Sequence, residues 1–139
     1  MNEQLYKLFG CPLAEARFDA GRVTDALALV DQAVNTGEGP GSGLYVPEIH
    51  RLRGVFLNSL ASPAEEVERA LRTAVQIAEE QGAYLLKLRA AMSLARLWRD
   101  QGKISEAREL LAPVYGWFKE GFDTRDLKEA KALLEELAA

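Results

Sequence analysis

The chain has 139 residues, enough for one domain with a real core and too few for two of ordinary size. Hydrophobic residues make up 48% and charged residues 27%, which excludes a disordered tail. A net charge of −4 and a pI near 5.1 argue against nucleic acid or an anionic membrane as partner, since both recognise a basic surface.

The opening stretch "MNEQLYKLFG" has no basic segment followed by an apolar core, so no secretory leader is expected. No apolar run approaches the roughly 18–20 residues a membrane span needs. Cys11 is the single cysteine, which leaves no internal disulfide and no thiolate metal cluster. These features together predict a cytoplasmic protein.

In chain order, the first predicted element carries Leu5, Leu8, Phe9 and Leu13, with a small residue at Ala14. A second follows in "AGRVTDALALVDQAV", Ala20 to Val34. The run "GEGPGSG" (Gly37 to Gly43) then reads as a linker. A phosphate-binding loop would need Lys-Ser/Thr after it and a strand before it, whereas Leu44 and Tyr45 follow. Pro47 suits the first turn of the next helix. "ASPAEEVERALRTAV" (Ala61 to Val75) aligns without gaps to the Ala20 stretch, and Pro63 fits its first turn.

Between Ala83 and Gln101, Leu85, Leu88, Met92, Leu94, Ala95, Leu97 and Trp98 approximate a 3.6-residue period, with Gly102 as terminator. "QGKISEARELLAPVY" (Gln101 to Tyr115) is the third gapless match, and Pro113 inside it should remove one backbone bond and kink the chain. The aromatic group "YGWF" (Tyr115 to Phe118), with Phe122 and Trp98, is expected in the core. The last element, 124–138, is capped by Asp123 or Thr124. It carries an apolar stripe of Leu127, Ala130, Leu133, Leu134 and Leu137 opposite a charged face.

The three matching stretches are spaced 41 and then 40 residues apart. Small or apolar residues stay in register at Ala26/Val67/Ala107, Val30/Leu71/Leu111 and Ala33/Ala74/Val114. Upstream of each, a small residue recurs at Ala14, Gly54 and Ala95, spaced 40 and then 41. Such a period marks stacked helix pairs, none of which can bury its apolar face alone. The prediction is an all-α chain of three helix pairs, over about 2–36, 46–82 and 83–120, plus a capping helix over 124–138: about seven helices in one domain. HEAT-like pairs have a similar period, but the glycine between paired helices and the small central residues favour a tetratricopeptide-like superhelix.

"AGRVTDALALVDQAV…YVPEIHRLRG" and "LRAAMSLARLWRDQGKISEARELLAPVYGWFKEGFDTRDLKEAKALLEEL" resemble the C-terminal tetratricopeptide-like region of large bacterial regulators. Those proteins join a class III adenylate/guanylate cyclase or a DNA-binding domain to an AAA-type ATPase, and then to this helical tail. The resemblance covers the chain from about Leu13 onward, and the blocks Trp98–Gly102 and Tyr115–Asp126 are its specific part. It implies scaffolding and partner sensing. No cyclase or ATPase sequence is present, so neither activity carries over, and "NTGEGPGSGLYV" replaces the usual short polar link.

In the families this chain resembles, the first helices line a concave groove at fixed offsets from the small central residue. Those offsets imply a partner-binding groove of Glu48, Arg51, Val55 and Asn58 with Arg89, Met92, Arg96 and Arg99. Arg89, Arg96 and Arg99 share a helix face by spacing alone. Such a strip suits a carboxylate-bearing, acidic peptide through bidentate pairing; the alternative is a solvated face with ordinary Glu or Asp pairs.

His50, the one histidine, lies two residues from Glu48, about 200° around a helix, so the two cannot converge on a proton or metal. One His and one Cys cannot supply a zinc site or a nucleophilic triad. His50 is expected to pack between repeats. The function expected is a non-enzymatic scaffold without cofactor or metal that binds a protein or peptide. The alternative is a regulatory segment acting on an ATPase or cyclase module in cis or in trans. Without a repeat before them, Leu5, Leu8, Phe9 and Leu13 would form an exposed patch, and homo-oligomerisation through the N-terminal repeat is the corresponding expectation.

Overall fold

A computed structural model describes residues 18–35 and 45–139. Six helices lie among them: α1 (Val23–Asn35), α2 (Val46–Ser59), α3 (Ala64–Gln81), α4 (Tyr84–Asp100), α5 (Ile104–Gly116) and α6 (Arg125–Ala138). No strand occurs among the described residues. The count is six where about seven were expected; the helix predicted around Leu5, Leu8, Phe9 and Leu13 lies outside the described residues, as do Cys11, Ala14 and the linker Gly37 to Gly43.

The residues predicted in register are all buried. Ala26, Val67 and Ala107 are each at most 1% exposed, and Val30, Leu71 and Leu111 at most 2%. Gly54 explains why a small residue recurs upstream. A Cβ built on it would stand 2.7 Å from Cγ and Cδ2 of Leu71, so α2 and α3 touch backbone to side chain there. Ala95, its counterpart on α4, is fully buried.

Each helix packs on its neighbour in the chain, and in addition α2 packs on α4 and α4 on α6. The even-numbered helices therefore form one continuous layer. The larger core runs through α2 to α6 and includes Leu57, Leu71, Leu88, Leu94, Leu111 and Leu137. A smaller one joins α1 and α2 through Val30, Ile49 and Phe56, with Phe18 stacked on Phe56 at 5.0 Å.

Helix ends follow local chemistry. After α4, Gly102 takes φ +83°; its N–H bonds to the Arg99 carbonyl at 3.0 Å, and the Lys103 N–H to Trp98 at 2.8 Å. This is the Schellman pattern, in which a left-handed residue satisfies the last carbonyls. The same pattern closes α2, with Ala61 N–H to Asn58 and Ser62 N–H to Leu57, but the left-handed residue is Ala61 at φ 57°. Pro63 is the N-cap of α3 rather than a residue of its first turn, its carbonyl accepting from Glu66 and Val67. Thr124 is the N-cap of α6, yet its hydroxyl donates to the Gly121 carbonyl at 2.6 Å and does not cap. α5 continues through Pro113 to Gly116, with the proline on an exposed face where its missing N–H disturbs no packing.

The aromatic group splits. Trp98 is buried, and Tyr115 and Phe118 pack on the core. Trp117 and Phe122 are instead 51% and 46% exposed, and Trp117 stacks on Tyr84 at 3.6 Å. Trp117 is the residue on which α5 ends, so it leaves the buried stripe that Leu111 and Val114 continue.

Candidate functional site

The eight residues assigned to a groove lie on α2 and α4, and the structure places all of them along two adjoining hollows. Glu48, Arg51, Val55, Arg89, Met92 and Arg96 line a hollow of about 460 Å³. Asn58 and Arg99 line its neighbour, of about 320 Å³, together with Arg51, Val55 and Arg96. The side chains converge because α2 and α4 run parallel. Glu48 faces Arg89, and Arg51 reaches Ser93, offsets of 41 and 42 residues.

Their roles differ. Met92 is 2% exposed and belongs to the core beneath the groove. Glu48 is also buried, and its carboxylate is clasped by Arg51, with Nη2 to Oε1 at 2.6 Å and Nε to Oε2 at 3.0 Å. Arg89 adds a second cation 3.9 Å from Oε1. Arg51 also donates to the Ser93 hydroxyl at 3.3 Å. A charge removed from water must be paired and hydrogen-bonded, and this arrangement meets that demand across two helices.

The arginine strip on α4 is met by the chain's own acids. Arg89 bonds Asp126 at 3.0 Å, Arg99 bonds Glu136 at 2.6 Å, and Arg96 stands 3.9 Å from Glu129. The first two pairs share an offset of 37 residues, so α6 lies parallel to α4 and presents its acidic side to the arginines. Arg99 is further held by Asp100, and hydrogen bonds from its guanidinium to both acids raise its pKa above the ordinary arginine value. Arg51, Arg89 and Arg99 thus each hold a carboxylate supplied by the same chain. Asp126, Glu129 and Glu136 lie on the charged face of the last predicted element, and sequence reasoning did not assign them to the site. The available signal was their spacing: steps of three and seven, the reverse of the seven and three of Arg89, Arg96 and Arg99.

His50 stands apart from this site, in a hollow with Asp31, Val34 and Arg53 where α1 meets α2. Burial first, and then the Arg53 charge, push its pKa below the usual 6.5. Arg53 itself bonds Asp31 at 2.9 Å. On the α3 side of the molecule, Glu68 accepts from Trp98 Nε1 and from Arg72 Nε, both at 2.9 Å. The Arg72 guanidinium lies 5.2 Å over the Trp98 ring. The indole bond and then the arginine bond hold the Glu68 carboxyl below its ordinary value.

Among the described residues no group of three or more His, Cys, Asp or Glu is placed to hold a metal ion. No described helix is long and apolar enough to cross a membrane.

No protein-family model matches the chain, and no solved structure matches it. A protein of Rhizobium meliloti (strain 1021), itself described as uncharacterized, is 36% identical over 78 residues. That match covers 56% of this chain but 8% of the relative, whose length is therefore many times that of the matched segment.

Proposed function

We propose that the chain is a non-enzymatic scaffold of tetratricopeptide-like type, three helix pairs and a capping helix wound as a superhelix, that binds a protein or peptide in the groove over α2, α4 and α6. The carrying observation is that groove residues inferred from repeat offsets line two adjoining hollows on the one layer formed by the even-numbered helices. Packing of each helix on the next, and of the even-numbered helices on one another, is what stacked helix pairs require. Work in the cytoplasm of a bacterium, without cofactor or metal, completes the reading.

Reversing the arginines would be a poor test, because it would also break their pairs with α6. Val55 is partly exposed, sits in both hollows and makes no polar contact. Affinity capture from lysate with mass spectrometry should therefore identify a partner held by the wild-type chain and lost from Val55→Glu, with the helical circular-dichroism signal unchanged. Equal capture by both forms sinks the groove.

The second reading is a regulatory segment acting on an ATPase or nucleotide-cyclase module in cis or in trans. It is favoured by one finding, that the relative is a far longer chain of which this region is a small part. Adding the chain to such a module from the same genome should change its nucleotide turnover, and Val55→Glu should remove the effect. A module indifferent to the chain at saturating concentration rules this reading out.

A further inference from the structure

Arg96 is unlike the other arginines of the groove. Arg51 holds Glu48 and Ser93, Arg89 holds Asp126, and Arg99 holds Glu136 and Asp100, each through hydrogen bonds. Arg96 makes no side-chain hydrogen bond among the described residues; its one ion pair, to Glu129, is 3.9 Å long. Its side chain is 40% exposed. Glu129 meanwhile has a better partner, accepting from Arg125 Nε at 3.0 Å. A guanidinium carries five donors in a fixed fork, and one left without close acceptors is prepared to take a carboxylate in bidentate fashion. Drawing Arg96 away would leave Glu129 paired and would orphan no buried charge.

Position adds a second constraint. Arg96, with Val55 and Arg51, lines both hollows and so forms the sill between them. At about 460 and 320 Å³, each hollow has room for side chains on its own side of the sill. A ligand engaging Arg96 can therefore continue in both directions. A chain-terminal carboxylate would fill one hollow and leave the other empty, whereas an acidic side chain within a peptide can have neighbours in both.

Building on the groove reading above, we propose that Arg96 is the specificity-determining contact of the groove, and that it receives the side-chain carboxylate of an internal Asp or Glu in a partner segment whose flanking residues occupy the two hollows. The partner is thus a peptide segment with one essential acidic residue rather than a run of acids, since the remaining strip is satisfied in cis.

The test begins with selection of a random dodecapeptide library on the full chain, followed by fluorescence-anisotropy titration of an enriched peptide. The enriched sequences should share an Asp or Glu with residues on both sides. Replacing it with Asn or Gln should weaken binding at least about ten-fold, the scale of one charge-assisted bond. Arg96→Gln should weaken binding by the same factor and make that peptide substitution silent. Arg69→Gln, an equal change of charge on α3 away from the groove, should bind as wild type, and amidating the peptide C-terminus should change nothing. Enriched peptides without an acidic residue, full affinity for Arg96→Gln, or loss of binding on amidation would each overturn the proposal while leaving the groove reading intact. If no peptide is enriched, or if binding survives Val55→Glu, the groove reading falls and this proposal with it.

Discussion

Glu48 is the residue on which the polar order of the groove turns. Its carboxylate lies at 8% side-chain exposure between two arginines from different helices. Removing one member of a buried pair leaves the other charge uncompensated, so Glu48→Ala should lower stability by about 2–4 kcal/mol, measured by urea unfolding. Arg99–Glu136 makes a useful contrast. Both side chains are substantially exposed, and exposed pairs contribute about 0–1 kcal/mol, so Glu136→Ala should be nearly silent in the same assay. His50 acts through pH. Because its folded pKa lies below its unfolded value, the unfolded chain takes up the proton first as pH falls. This contribution is complete above about pH 6.5 and is lost between there and the folded pKa; Arg53 and Asp31 are the charged groups that share its hollow. Thermal denaturation from pH 7.5 to 5 should show that loss in the wild type and a shallower slope in His50→Gln. Equal slopes would assign the acid sensitivity to other groups.

At the scale of elements, the unequal spacings have a structural cause. Second helices recur at 41 then 40 residues, while the small residues of the first helices recur at 40 then 41. The left-handed turn residues Gly21, Ala61 and Gly102 follow the second series. The surplus residue therefore sits between Ala61 and Val67, in the turn where Pro63 caps α3. A gapless alignment matched Gly21 and Gly102 to Ser62 and so concealed that the position needing a left-handed backbone holds Ala61. An L-residue there carries about 1–2 kcal/mol of strain, against about 0.5–1 kcal/mol of extra chain entropy for glycine. Ala61→Gly should thus raise the melting temperature by a few degrees; a fall would show that the alanine methyl is held by packing.

For the whole molecule, the sequence was legible where one physical rule acted alone. Burial at a repeat period identified every in-register core residue from Ala26 to Val114, and a shared helix face brought Arg89, Arg96 and Arg99 to one surface. It was illegible where the outcome depended on which helix lies against which. The charged side of α6 looks solvated in sequence because a helix with acids and lysines on one side needs no partner; only its parallel placement on α4 turns Asp126 and Glu136 into ligands of arginine. Likewise Trp117 and Trp98 are both aromatics beside apolar stripes, and the end of α5 alone decides that one faces outward.

That division gives the chain two built-in optical reporters, since it contains two tryptophans. Trp98 is shielded and tied to Glu68 through its indole N–H, while Trp117 is half open to solvent on Tyr84. Iodide should quench a red-shifted component and spare a bluer one, and Trp117→Phe should abolish the quenchable part. Acidification through the titration of Glu68 should then alter the surviving emission, because the group that titrates is the one the indole touches. One cuvette can thereby follow the interior of the helix stack and its surface as separate signals.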